Sequence, residues 1–273
     1  MKTIKYILSM MLLLFIVSCE NIDEVEQELD YQELFIVSGQ ISGGDFNPEI
    51  QFTRSLPLNT KFDIVKAELK DVTAYIKTED EMIYPLEYIK DGIYKTKYEL
   101  KIQPGAKYEL FALAEETRIN GFTKAPIVPE LVQASLTEGH ITCEIIPKEG
   151  EVYCCVYVLV EGSQVGNPRI SEREREFFSV EGPFDETGGS IFIRTGVIPD
   201  EYRSPTTQYR LGVEVYAWDK SYKKYFETKN NNKPIDDIFS QGGGSINWNI
   251  TGENTIGMFI GFSTLVSMDI INY

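Results

Sequence analysis

The sequence is poor in the residues from which catalytic and metal centres are usually built. Its 273 residues include one histidine, His140, and four cysteines, Cys19, Cys143, Cys154 and Cys155. A single histidine can act as a general base, but nothing around Glu138-Gly139-His140 forms a motif, and it reads as a surface or capping residue. The Cys143-x10-Cys154-Cys155 spacing matches no zinc site, and His140 is not placed to complete one. No Gly-x-Ser-x-Gly elbow and no His-Glu-x-x-His box occurs. No catalytic, cofactor-binding or metal-ligating residue is therefore assigned. Glycosidases need only two carboxylates a few ångströms apart, and with 42 acidic residues a carboxylate-based hydrolase stays in play as the least favoured class.

Positive charge is also scarce. Against 42 acidic residues stand 26 basic ones, for a net charge of −16. Nucleic acid needs a basic face, and none is visible, so it is not an expected partner. An acidic surface is repelled by anionic headgroups, so any membrane attachment should be covalent or hydrophobic. The Gly242-Gly243-Gly244 run is not followed by the Gly-Lys-Ser/Thr of a phosphate loop.

No apolar run is long enough to span a bilayer, which takes about 20 residues. The longest opening run, Tyr6 to Val17, has twelve residues interrupted by Ser9 and follows Lys2 and Lys5. That is the length of a signal-peptide core. It ends in Ile16-Val17-Ser18-Cys19, which resembles the lipobox of bacterial lipoproteins. Ser18 supplies the small side chain that the signal peptidase needs, and Cys19 becomes the lipid-bearing N-terminus. Several acyl chains, at about 0.8 kcal/mol per buried CH2, make a stable anchor. Residues 1–18 are thus expected to be a lipoprotein signal peptide. Their removal takes away Lys2 and Lys5 and no acid, turning the charge of −16 into −18. Residues 19–33 read as an acidic tether, because six of the eleven residues from Glu20 to Asp30 are acids that repel one another. These acids also resemble surface-export signals of Bacteroidota lipoproteins; a plain spacer accounts for them as well.

Aromatics reach 12%, and aromatic and β-branched side chains suit half-buried pleated surfaces. Strand patterns run through Leu34–Ile41, Glu49–Arg54, Val72–Lys77, Tyr84–Ile89, Ile93–Tyr98 and Lys107–Ala114. Asp91-Gly92 and Asn120-Gly121 read as turns. Residues 34–126 are accordingly expected to form an immunoglobulin-like β-sandwich, and the proline-stiffened Pro126-Ile127-Val128-Pro129 marks a boundary.

Residues 127–273 read as a second β-rich domain with one short helix, so the fold class is all-β. Ile141–Ile146, Ile191–Arg194 and Tyr209–Trp218 have strand character. Val152–Val160 is apolar throughout and predicts a central strand buried on both faces, with Cys154 and Cys155 pointing opposite ways as small core residues. Ser163–Glu176 is polar and is expected as a loop or a short exposed helix. Asp219 predicts an N-cap, followed by a helix on which Tyr222, Tyr225 and Phe226 share one face. That face is expected to pack on the sheet in preference to forming an aromatic binding stripe. Glycines between aromatics near the end predict bulges or close backbone approaches.

Several of these stretches together resemble a Bacteroidota lipoprotein family known as domain of unknown function 4249. They are the lipobox, Phe35-Ile36-Val37-Ser38-Gly39, Arg54-Ser55-Leu56-Pro57-Leu58-Asn59, Gly92-Ile93-Tyr94, Gly105-Ala106-Lys107-Tyr108-Glu109-Leu110, the Tyr-rich helix and the Gly257–Ser263 stretch. Ser240-Gln241-Gly242 departs from the Asn-Ile-Gly-like element of the pattern. The resemblance implies a lipid-anchored place at the outer membrane and pairing with a TonB-dependent outer-membrane transporter; it supplies no catalytic residues. The expected function is binding, with an unidentified extracellular ligand. Contact loops would be Ser42–Pro48, Arg54–Phe62, Gln164–Arg175 and Ser204–Gln208. The alternative is an adhesin or envelope-assembly component that recruits proteins by strand addition.

Overall fold

A computed structural model of the chain describes residues 31–57, 59–161, 169–185, 188–203, 209–231 and 246–272. Cys19 and residues 1–18, the expected signal peptide, lie outside them. The described residues from Glu33 onward pack as one compact unit. Its strands are β1 (Phe35–Ser42), β2 (Glu49–Arg54), β3 (Thr73–Thr78), β4 (Ile83–Lys90), β5 (Ile93–Thr96), β6 (Lys107–Ala114), β7 (Thr117–Lys124) and β8 (Glu130–Thr137). They continue as β9 (His140–Ile146), β10 (Glu151–Glu161), β11 (Arg169–Arg173), β12 (Ile191–Arg194), β13 (Tyr209–Asp219), β14 (Ile250–Thr251), β15 (Thr255–Ser267) and β16 (Ile270–Asn272). Helices are α1 (Ile64–Ala67), α2 (Asp200–Arg203) and α3 (Ser221–Asn231). The class is all-β.

A twelve-stranded sheet runs in the order β11-β10-β13-β15-β1-β2-β5-β4-β3-β6-β7-β14, and a four-stranded sheet in the order β12-β9-β8-β16. Alternation along each strand decides which side chains meet. In β1, Phe35, Val37 and Ile41 point into a core with Phe52, Ile76, Tyr94, Leu110 and Ile119. The sheet folds over that core until β7 meets β15, where the Gly261 N–H donates to Thr123 Oγ1 at 2.6 Å. A Cβ on Gly261 would lie 1.9 Å from the Lys124 carbonyl oxygen, so only glycine allows this approach.

In the second half the sheet is covered on both sides. Tyr153 and Cys155 of β10 face the small sheet, in a core with Ile141, Cys143, Ile145 and Val215. Val152, Cys154, Val156, Val158 and Val160 face the opposite way, toward Val180, Tyr216 and Trp218. This is why the β10 run is apolar without alternation: each face has a layer to bury against. The two neighbouring cysteines fall into different cores, as their spacing predicts.

The link at residues 126–129 falls where one core gives way to the next along the chain. The sheet itself continues across it: β15 pairs in parallel with β1 over Phe35–Ser42 and delivers Phe259 into the first core. Two local expectations are corrected, and one strand was not foreseen. Asn120-Gly121 is not a turn but lies inside β7, and the chain reverses earlier, at Glu115, whose φ is 55°. Gly121 is there because Ile250 Cδ1 and Phe259 Cβ would sit 2.7 and 3.0 Å from its Cβ. Arg169–Arg173 is an edge strand on β10, not a loop or helix; its Arg173 pairs with the buried Glu214 at 3.0 Å. Glu130–Thr137, without a clear apolar period, is β8.

Candidate functional site

The outer face of β15, β1 and β2 lies opposite the first core. Pairing brings Met258, Ser38, Gln51 and Ile93 into one row across it, since Ser38 pairs with both Met258 and Gln51, and Gln51 with Ile93. Helix α3 covers part of this face. It begins where Asp219 ends β13, with Asp219 Oδ1 accepting from the Ser221 N–H at 2.9 Å. Tyr222 then stacks on Trp218, with ring centroids 4.2 Å apart and planes 10° from parallel. Trp218 in turn stacks on Phe262 at 5.2 Å. Tyr222 and Phe226 thus pack the helix onto the sheet, as expected of the aromatic face. Tyr225 turns instead toward Trp248, with ring centroids 5.5 Å apart at 40°.

A groove of about 360 Å³ remains between this helix and the sheet. Tyr222, Tyr225 and Trp248 wall it, and Ile36, Met258, Ser38 and Gln40 form its floor. A second hollow of about 300 Å³, bounded by Glu49, Gln51 and Ile93, shares Ser38 and Gln40 with it, so the two are continuous. Such a mixture of aromatic wall and few polar groups is the usual make-up of a small-ligand cleft. Burial pushes the Tyr222 phenol up, which keeps its proton on. Lys229 Nζ lies 6.0 Å from the Tyr225 ring centre. At the far end Glu49 is paired with Lys95 at 2.7 Å, and Gln51 Nε2 donates to the Asp91 carbonyl at 2.9 Å. The lining offers ring faces, hydroxyls, the carboxamides of Gln40 and Gln51 and, at its margins, Lys229 and the paired Glu49, which is equipment for recognition.

A separate cavity of about 450 Å³ is lined by Phe178, Glu181, Phe192 and Arg194. His140 is beside it, its ring 5.7 Å from Phe178. His140 Nδ1 lies 2.8 Å from the Thr195 carbonyl; a carbonyl only accepts, so Nδ1 carries the proton. Arg194 sits 4.9 Å from the Phe178 ring centre, so that ring already has neighbours. Burial raises the nearby Glu174, whose carboxylate accepts from the Gly196 N–H at 2.9 Å.

Of the loops expected to make contacts, Ser42–Pro48 is pinned: Asn47 Oδ1 accepts from the Leu100 N–H at 2.9 Å and from Thr96 Oγ1 at 3.1 Å. In Arg54–Phe62, Arg54 pairs with Glu33 at 2.9 Å and Glu115 at 3.1 Å, Phe62 is exposed and Leu58 lies outside the described residues. Gln164–Pro168 and Ser204–Gln208 also lie outside them. The groove takes its walls from none of these loops. The signal available in the sequence was Trp218 four residues before Tyr222, with Tyr225 three further on. Among the described residues no group of three or more His, Cys, Asp or Glu converges as a metal site would require. No described helix is long and apolar enough to cross a membrane.

The architecture defines an all-β, sandwich-like protein with an aromatic-walled groove. A family model, Domain of unknown function (DUF4249), matches residues 22–266, and the chain belongs to that family. No curated protein matches it. A solved structure described as a DUF4785 family protein from Legionella pneumophila subsp. pneumophila str. Philadelphia 1 is similar at 11% identity with a TM-score of 0.25. The match covers 66% of this chain and 50% of that one, so the chain spans about half that protein's length. So slight a likeness carries no argument about fold or function.

Proposed function

We propose that the protein is an envelope lipoprotein, anchored at the outer membrane through acyl chains on Cys19, that acts by binding as an accessory of a TonB-dependent transporter. The observation that carries the binding part is the groove beside α3, where Tyr225 and Trp248 stand over Ser38 and Gln40. Its walls hold an uncharged phenol, ring faces and the Lys229 ammonium, and among the described residues no recognisable pairing of a nucleophile with a base lines it. The anchor rests on Lys2, Lys5, the apolar run to Val17 and Ile16-Val17-Ser18-Cys19. The transporter rests on resemblance to the family, which is an association and not a site geometry. Affinity capture from solubilised outer membranes with the tagged full chain tests it. The expected result is a co-purified transporter. Capture of no transporter, together with hydrolysis of a glycan or peptide that is lost on changing one carboxylate, would replace this reading with an enzyme.

A further inference from the structure

We infer that the groove beside α3 takes a neutral oligosaccharide, a claim resting on the reading that the protein acts by binding. The faces of a sugar ring carry C–H bonds with a slight positive charge, and the face of an aromatic ring is negative. Tyr225 and Trp248 are both half-buried, and their rings stand 40° apart, so they form an open corner against which a sugar face can rest. Trp218 and Tyr222 already stack on each other and fix the back of that corner.

The floor supplies the second half of the chemistry. Ser38 and Gln40 project from β1 into the groove, and among the described residues neither side chain has a hydrogen-bond partner. A hydroxyl and a carboxamide each donate and accept, which is the pattern a sugar hydroxyl requires. A wholly apolar ligand would strip water from both without replacing it, at a cost.

Other occupants fit less well. An extended peptide binds by adding a strand to a free sheet edge, and β1 is already hydrogen-bonded on one side to β15 and on the other to β2. An anion would find one ammonium, Lys229, beside Tyr225, but it would also meet the net charge of −16 and Glu49 at the open end, where Lys95 is already paired. The hollow beyond Ser38 and Gln40 continues past Gln51 to Ile93, which extends the site beyond a single ring and favours a chain of sugars.

The test is titration of the solubilised full-length lipoprotein with maltohexaose, cellohexaose, xylohexaose and mannohexaose, read by calorimetry and by tryptophan fluorescence. At least one should bind saturably. Tyr225→Ala and Trp248→Ala should each weaken it by about tenfold or more, and Gln40→Ala by severalfold. Tyr225→Phe keeps the ring and should retain binding, which separates loss of stacking from misfolding. Phe178→Ala, in the other cavity, should leave binding unchanged. Binding of none of the four sugars, or binding that survives both Tyr225→Ala and Trp248→Ala, overturns the inference. So does saturable binding of an extended peptide in the groove. Capture of a transporter with no sugar binding would remove the saccharide and leave the accessory role; sugar binding with no transporter would keep the saccharide and the binding role and remove the transporter.

Discussion

Lys124 reaches the fully buried carboxylate of Glu151, with Nζ 3.4 Å from Oε1. The same carboxylate accepts from the Ile127 N–H at 3.3 Å and from the Tyr153 hydroxyl at 2.8 Å. Asp219 Oδ2 accepts from the Lys124 N–H at 2.9 Å, and Ser263 Oγ donates to the Ile127 carbonyl at 2.7 Å. The segment leading into the proline link is therefore tied to β10, β13 and β15 together. These bonds, with the parallel β1–β15 pairing, join the two cores.

Removing either partner of this pair should be costly, but unequally. Lys124 is about a quarter exposed and can turn to water, whereas Glu151 cannot. Lys124→Met strands a buried charge and should cost about 3–5 kcal/mol. Glu151→Gln leaves a neutral group that still accepts hydrogen bonds, and should cost about 1–3 kcal/mol. Urea denaturation of the two variants measures the order; a smaller loss for Lys124→Met would contradict this account of the junction.

The thiols of Cys143, Cys154 and Cys155 should be inert in the folded protein. All three are buried. Burial pushes the Cys154 thiol up, while for Cys155 the hydrogen bond between its own thiol and that of Cys143, then burial, pushes it up. A thiol reagent should label none of them natively and all three in denaturant. Rapid native labelling of Cys154 and Cys155 would show that β10 is misplaced.

Much of this was legible locally. The β10 run, the Asp91-Gly92 turn and the capped helix after Asp219 are set by neighbours in sequence, so alternation and turn chemistry reveal them. The β1–β15 pairing joins residues more than 200 apart, and no local pattern encodes it. The groove was hidden for the same reason: Ser38, Tyr225, Trp248 and Met258 come from four separate stretches. Strand β11 was hidden because an edge strand needs no apolar face, and Arg169-Ile170-Ser171-Glu172-Arg173 reads as surface. Asn120-Gly121 misled because a glycine needed for close packing looks like a glycine needed for a turn.

Glu174 should give the protein a measurable acid preference. Burial, partly opposed by N–H donors of Tyr157 and Gly196, raises its pKa above the ordinary 4.5. A raised carboxyl favours folding most when protonated, so its contribution is full below pH 4.5 and declines as pH rises through the folded value. Glu174→Gln does not titrate. Its Tm relative to wild type should therefore climb between pH 4 and pH 7, whatever the constant offset from altered hydrogen bonds. A difference that is flat or falls with pH would contradict the sign.

Cys19 should carry the lipid. Cells fed a fatty-acid probe should label the wild type and leave Cys19→Ala unlabelled. Equal labelling of the two would end the lipoprotein reading while leaving the fold untouched.

The most direct test of the central claim is photo-crosslinking in living cells, with photoreactive residues placed singly at exposed sites such as Phe62, Val65 and Phe192. The account expects a TonB-dependent outer-membrane transporter among the products of the wild type, and its loss when Cys19→Ala prevents anchoring. Crosslinks that never include a transporter, or that are unchanged by Cys19→Ala, would contradict it.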